Sequence, residues 1–132
     1  LSPYYRGAAT IFWPLHDERP EYVGATIHRI DLRIDTGPIY HHARPEIAAG
    51  DNPHDIGCKS VMSAADAMLR TLWELERGDA VAVPQWDKGQ VFLRRNFLPE
   101  HARKVYGLLE DGMLDRYLEN KDRVYHQVRL VG

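Results

Sequence analysis

The sequence is poor in the features that most quickly betray a function. It has one cysteine, Cys58, so no disulfide can close within it, and a reducing compartment is the expected setting. No apolar run approaches the roughly 18 to 20 residues that a membrane-crossing helix needs. The opening, Leu1-Ser2-Pro3-Tyr4-Tyr5-Arg6-Gly7, lacks a basic segment followed by an apolar stretch, so no targeting peptide is expected there. It reads instead as the interior of a longer gene product. Neither charge sign is in surplus: 17 basic and 19 acidic residues give a net charge of −2. A nucleic-acid surface would normally show a basic excess or stripe, so this balance argues against that partner. No phosphate-binding glycine loop, nucleophile elbow or dinucleotide fingerprint occurs. Zinc spacings of the His-Glu-x-x-His or Cys-x-x-Cys type are also missing. His41 and His42 are adjacent, and neighbouring strand residues point to opposite faces, so they do not suit one ion; no metal is expected.

The rest is ordinary globular material. Apolar residues make up 44% and charged residues 27% of 132 positions, enough for one modest core. After a Pro- and Gly-bearing loop over residues 1–7, Ala8 to Leu15 has helical content bounded by Pro14 and Pro20. Val23 to Ile30 alternates and is rich in β-branched residues, which predicts a strand; Ile39 to Ile47 predicts a second, so the two could form a hairpin. Asn52, Pro53 and Asp55 carry a helix start: a capping amide, a proline at the first position and an acid three residues after the cap. The helix should run to Arg77 and stop at Gly78. Its apolar stripe, Cys58, Val61, Met62, Ala65, Met68, Leu69, Leu72 and Leu75, is expected to face the core, with Cys58 a buried structural thiol. Beyond a Gly- and Pro-rich seam at 78–89, the pattern predicts a strand over Gln90–Arg94, helix over Pro99–Leu118 with a break near Gly112, and a strand over Arg123–Val131.

One region invites a chemical reading. Asp35 stands in Ile34-Asp35-Thr36-Gly37, at the junction of the two predicted strands, seven residues after His28. A carboxylate partly withdrawn from water becomes a better base, and an Asp–His pair on one face can move a proton and support a developing oxyanion. Gly37 has no side chain, so a ligand or another backbone can approach closely. The bland reading is a turn in which Asp35 caps its own backbone. The residues taken alone favour the turn.

A resemblance covers roughly residues 1 to 78. Leu1, Pro3, Arg6 and Gly7 form a Leu-x-Pro-x-x-Arg-Gly loop, Gly24, Thr26, Ile27 and His28 a Gly-x-Thr-Ile-His strand, and Asp35, Thr36 and Gly37 an Asp-Thr-Gly turn. In that order and spacing the motifs resemble the folate-dependent formyltransferases. This family includes methionyl-tRNA, glycinamide ribonucleotide and sugar N-formyltransferases and a formyltetrahydrofolate hydrolase.

The resemblance implies an α/β fold: the C-terminal half of a Rossmann-like catalytic domain, a strand pair plus a long helix over residues 1–87, then a short mixed α+β tail over 88–132. It implies a one-carbon transferase of the cytoplasm that uses 10-formyltetrahydrofolate as co-substrate and no metal. An amine attacks the formyl carbon, an Asn and a His stabilise the oxyanion, and an Asp manages protons. Asp35 matches that Asp, and His28 matches a histidine of the glycinamide ribonucleotide branch. Ile30, Asp31, Leu32, Arg33 and Ile34, with Asp35, match the segment lining the pterin pocket. Arg6 and Gly7 match the acceptor-side loop, where the arginine could equally hold the loop itself. The family's Asn-x-His would fall just before Leu1, so these residues alone would make a weak or inactive enzyme. The short tail and the charge balance favour a small amine acceptor, such as an amino sugar nucleotide, over tRNA. The alternatives are the hydrolase, a methionyl-tRNA formyltransferase and a truncated domain that only packs against a partner. The segment after Pro99 is left for packing or homodimer contacts.

Overall fold

A computed structural model describes residues 1–132 as a mixed α/β fold. In chain order the elements are β1 (Tyr5–Gly7), α1 (Phe12–His16), a 3-10 turn (Pro20–Tyr22), β2 (Ala25–His28), β3 (Ile39–Ala43) and α2 (Pro53–Arg77). There follow β4 (Gln90–Phe92), a second 3-10 turn (Arg94–Asn96), α3 (Pro99–Glu110), α4 (Met113–Glu119) and α5 (Lys121–Tyr125). The strands make two small sheets. β2 and β3 pair antiparallel, from Ala25 opposite Ala43 to His28 opposite Ile39, with an irregularity between Ile27 and His28. Such a bulge re-aims the residue that follows it, here His28. β1 and β4 pair in parallel, Tyr5 opposite Gln90 and Gly7 opposite Phe92, and so join segments far apart in sequence.

Two apolar clusters hold the elements together, and each mixes residues from before and after position 88. In one, Leu15, Val23, Ile47 and Ile56 meet Val105, Met113, Leu114 and Tyr117. In the other, Tyr5, Trp13 and Tyr22 meet Phe92 and Val128. The Phe92 ring stacks on Trp13 at 4.5 Å between centroids and on Tyr5 at 5.8 Å.

Local chemistry explains α2 well. Asn52 accepts from the N–H groups of His54 and Asp55, Asp55 returns a bond to the Asn52 N–H, and Gly78 ends the helix in the left-handed conformation. The expected inward face is wrong. Met62 is 69% exposed, Leu69 57% and Leu72 53%, and Cys58 is exposed, its Sγ 3.6 Å from His54 Nε2. The face laid on β2 and β3 carries Ile56, Ser60 and Thr71 instead. At about 100° per residue, that face and the apolar stripe lie roughly 140° apart. Ser60 and Thr71 can be buried because each hydroxyl donates to the carbonyl four residues earlier, Ile56 and Ala67, at 2.8 Å.

Two smaller expectations also fail for local reasons. The first helix starts at Phe12 rather than Ala8, because Ala9 takes a left-handed conformation with φ +56°. The strand expected over Arg123–Val131 is replaced by α5 and an irregular tail. Here the His42 N–H donates to the Val131 carbonyl at 2.8 Å, but the Val131 N–H donates to His42 Nδ1 at 2.9 Å. A ring nitrogen thus takes the place of a backbone carbonyl, and no ladder propagates. Arg44 pins the preceding turn: its guanidinium lies over the Tyr125 ring at 3.2 Å and donates to the Tyr125 carbonyl at 3.1 Å.

Two outcomes follow from this packing. Leu69→Glu and Leu72→Glu should each change the unfolding free energy of the 132-residue chain by less than about 0.5 kcal/mol, whereas Ile56→Ala should cost about 2 to 4 kcal/mol, read by denaturant titration. The second concerns His42, whose Nε2 donates to the Ser2 carbonyl at 2.6 Å. Burial lowers its pKa from 6.5 to about 4. On acidification the unfolded chain therefore takes up this proton first. The stabilisation is complete above about pH 6.5 and drains away as the pH falls toward 4. It should be on the order of 2 kcal/mol given partial exposure, and the difference between wild type and His42→Gln across that window should display it.

Candidate active site

The loop between β2 and β3 doubles back on itself, and its tightness has a definite source. Gly37 lies against the Arg29 carbonyl so closely that any Cβ would overlap that oxygen. The close approach made by this glycine is thus to backbone. The Arg29 N–H bonds to the Pro38 carbonyl at 2.9 Å and closes the neck of the loop. Within the loop, Asp31 supplies the turn cap: one carboxylate oxygen accepts the Leu32 N–H at 2.6 Å and the other the Thr36 hydroxyl at 3.2 Å.

Asp35 is therefore free to point elsewhere. Its Oδ2 accepts the Gly7 N–H at 2.7 Å, from β1, and its Oδ1 lies 3.6 Å from His28 Nε2. The Asp35 backbone is left-handed, with φ +50°. For a residue with a Cβ this costs about 1 to 2 kcal/mol, so neighbouring groups must hold it there. The side chains of Asp35 and His28 are 36% and 20% exposed, enough for a substrate to reach both. They line a cleft of about 280 Å³ together with Thr10, Thr26, Ser60 and Val61.

The protonation pattern follows from hydrogen-bond direction. His28 Nδ1 is 2.8 Å from the Arg29 carbonyl oxygen. A carbonyl can only accept, so Nδ1 carries the hydrogen and donates. In the neutral ring that bond makes Nε2 the acceptor nitrogen, on the side of Asp35 Oδ1. At 3.6 Å the two are not hydrogen-bonded to each other. Both side chains face one opening, an arrangement that can take a proton from a group bound in the cleft.

The other residues singled out from the sequence lie elsewhere. Gly7 meets Asp35 through its backbone, whereas the Arg6 side chain points away from the cleft. Arg6 is 7% exposed, and its Nη2 donates to Gln85 Oε1 at 3.0 Å and to the Asp87 carbonyl at 2.8 Å. Ile30 and Leu32 are fully exposed and Ile34 is half exposed. Asp31 and Arg33 line a second cleft of about 420 Å³ beside Arg6 and Lys88. Gln85 was not anticipated, because it falls in the Gly- and Pro-rich seam and no local pattern marks it. The one Asn-x-His in the chain, Asn52-Pro53-His54, is spent on capping α2, with Asn52 Oδ1 accepting two backbone N–H groups.

The site is thus an Asp–His pair at the open end of a strand loop of a mixed α/β fold, its carboxylate held by a backbone N–H. Comparison with known proteins identifies the family. The formyl transferase family model matches residues 1–72, and the chain belongs to that family. Methionyl-tRNA formyltransferase of Flavobacterium psychrophilum is 30% identical over 129 residues, 98% of this chain and 37% of that protein. The enzyme of the same name from Microcystis aeruginosa is 36% identical over 85 residues, 64% of this chain and 26% of that protein. The chain thus spans 26% to 37% of the length of these curated relatives. Among solved structures, the formyltransferase PseJ of Anoxybacillus kamchatkensis, in complex with a UDP-linked formamido sugar and tetrahydrofolate, superimposes with a TM-score of 0.66 at 22% identity. The match covers 86% of this chain and 56% of that one. An N-formyltransferase of Helicobacter canadensis, in complex with folinic acid and dTDP-3-aminofucose, gives 0.65 at 23% identity, covering 74% and 36%. At these identities the likeness is one of fold.

Proposed function

We propose that these residues form the proton-handling part of an enzyme that transfers a formyl group from 10-formyltetrahydrofolate to the amine of a small acceptor, of the amino sugar nucleotide class. The observation that carries the reading is the Asp35–His28 pair facing one cleft at 3.6 Å, in a chain of the formyl transferase family. As the amine nitrogen bonds to the formyl carbon, it must shed a proton. Asp35 Oδ1, a carboxylate oxygen, and His28 Nε2, the acceptor nitrogen of the neutral tautomer set by the Nδ1 bond, can each accept it. Asp35 takes the proton, and His28 Nε2 offers a second acceptor on the same opening. When the bond from the formyl carbon to the folate nitrogen breaks, that nitrogen needs a proton, and the same pair can return it. The Gly7 N–H keeps the carboxylate in place throughout.

The acceptor class is supported by the net charge of −2, which gives no polyanion footprint, and by the amino sugar and formamido sugar ligands of the two structural neighbours. A second reading, methionyl-tRNA as acceptor, is favoured by the names of the sequence relatives. Transfer to water, giving a hydrolase, uses the same pair.

The intact gene product containing these residues, incubated with 10-formyltetrahydrofolate and either an amino sugar nucleotide or methionyl-tRNA, separates the readings by mass spectrometry of the acceptor. A formylated sugar is the expected product; a formylated methionyl-tRNA would replace the proposal with the second reading, and folate turnover without acceptor would point to the hydrolase. In whichever form turns over, Asp35→Asn should lower kcat by about 100-fold or more, and His28→Ala by less. Near-normal turnover of Asp35→Asn would remove Asp35 from the chemistry.

A further inference from the structure

Gln85 touches no part of the cleft, yet every hydrogen-bonding atom of its side-chain amide is engaged around Asp35. Nε2 donates to the Asp35 carbonyl and to the Gly37 carbonyl, both at 2.8 Å. Oε1 accepts from Arg6 Nη2 at 3.0 Å. Two carbonyls on one side and a guanidinium on the other permit only this orientation of the amide, because a flipped amide would face oxygen to oxygen and donor to donor. Arg6 is held in turn by the Asp87 carbonyl, and it immediately precedes Gly7, whose N–H grips the Asp35 carboxylate. Asp35 is therefore fixed at both ends: at its carboxylate by β1, and at its main chain by Gln85. The left-handed backbone at Asp35 does not hold itself, and no other side chain is hydrogen-bonded to the Asp35 or Gly37 carbonyl.

We infer that Gln85 is a positioning residue for the proposed reaction, setting the direction of the Asp35 carboxylate by clamping the Asp35-Thr36-Gly37 main chain against Arg6. This rests on the formyl-transfer reading for its kinetic consequence but not for its structural one. Gln85 acts through two backbone carbonyls, so its loss turns Asp35 without removing it. A misdirected base lowers the rate of the chemical step and leaves ground-state binding of the acceptor little changed.

The test compares Gln85→Met with Gln85→Glu in the intact gene product. Methionine keeps the volume and removes all three bonds. Glutamate keeps an acceptor for Arg6 but turns an oxygen on the two carbonyls. Both variants should lower kcat by about 10- to 100-fold, with the acceptor KM within about twofold of wild type. In both, amide exchange of Gly7 should speed by about tenfold or more as the Asp35 carboxylate leaves it. If Gln85 merely props Arg6, glutamate should restore both kcat and slow exchange, and the inference fails. Unchanged Gly7 exchange in both variants would overturn it regardless of activity. Faster exchange with an unaltered kcat would overturn it too. If the wild type forms no formylated product, the functional reading fails, while Gly7 exchange still decides whether Gln85 holds the turn.

Discussion

The arrangement at this site depends on one backbone N–H. The Gly7 amide, at the end of a three-residue strand, bonds to Asp35 at 2.7 Å and so draws the β2–β3 loop onto β1. A charge-assisted bond of this kind is among the stronger ones available in a protein. Gly7 is suited to it, since its φ is +92° and any Cβ would overlap the Phe92 carbonyl of β4. The strand that supplies the N–H is thus kept in place by a partner some 85 positions along the chain, through the parallel pairing of β1 with β4. The carboxylate, the loop and the distant strand form one mechanical unit. The buried, stacked rings of Tyr5, Phe92 and Trp13 pack β1 and β4 onto α1.

How much of this could be read from the sequence divides along the range of the interactions. The start of α2 was legible to the residue, because Asn52, Pro53 and Asp55 act within one turn and need no tertiary partner. The pairing of β2 with β3, and the approach of His28 to Asp35, followed from alternation and a short connection. By contrast, nothing near Gln85 signals that its amide will meet two carbonyls some 50 positions earlier. The pairing of β1 with β4 is likewise non-local, and Gln90 to Phe92 could be recognised as a strand but not as the neighbour of Tyr5 to Gly7.

The orientation of α2 shows a different limit. A hydrophobic stripe states that a helix has an apolar side, but not which surface that side meets. The strand pair beneath α2 takes a narrow face with two internally bonded hydroxyls, and leaves Val61, Met62, Leu69, Leu72 and Trp73 outward. Only the small part of that stripe near Val61 contributes to the cleft wall. Counting apolar residues as core would therefore have overestimated what this fold buries. The polar Ser60 and Thr71 would have been placed on the wrong side.

Family membership and the choice of acceptor are separable for a physical reason. Three of the groups that set the Asp35–His28 pair are main-chain atoms: the Gly7 N–H, the Arg29 carbonyl that orients the imidazole, and the Asp35 carbonyl held by Gln85. Main-chain groups survive most side-chain changes, so a chain of this fold can vary the walls of its cleft while keeping the proton acceptors in place. The exposed Ile30, Leu32 and Arg33 sit on the same loop as Asp35, beyond the neck closed at Arg29 and Pro38. None of these three side chains is bonded to the held carboxylate, whose neighbours are Gly7 and His28. The proposed role of Asp35 and His28 does not by itself select an acceptor, so relatives named for tRNA and fold neighbours bound to sugar nucleotides are both compatible with it.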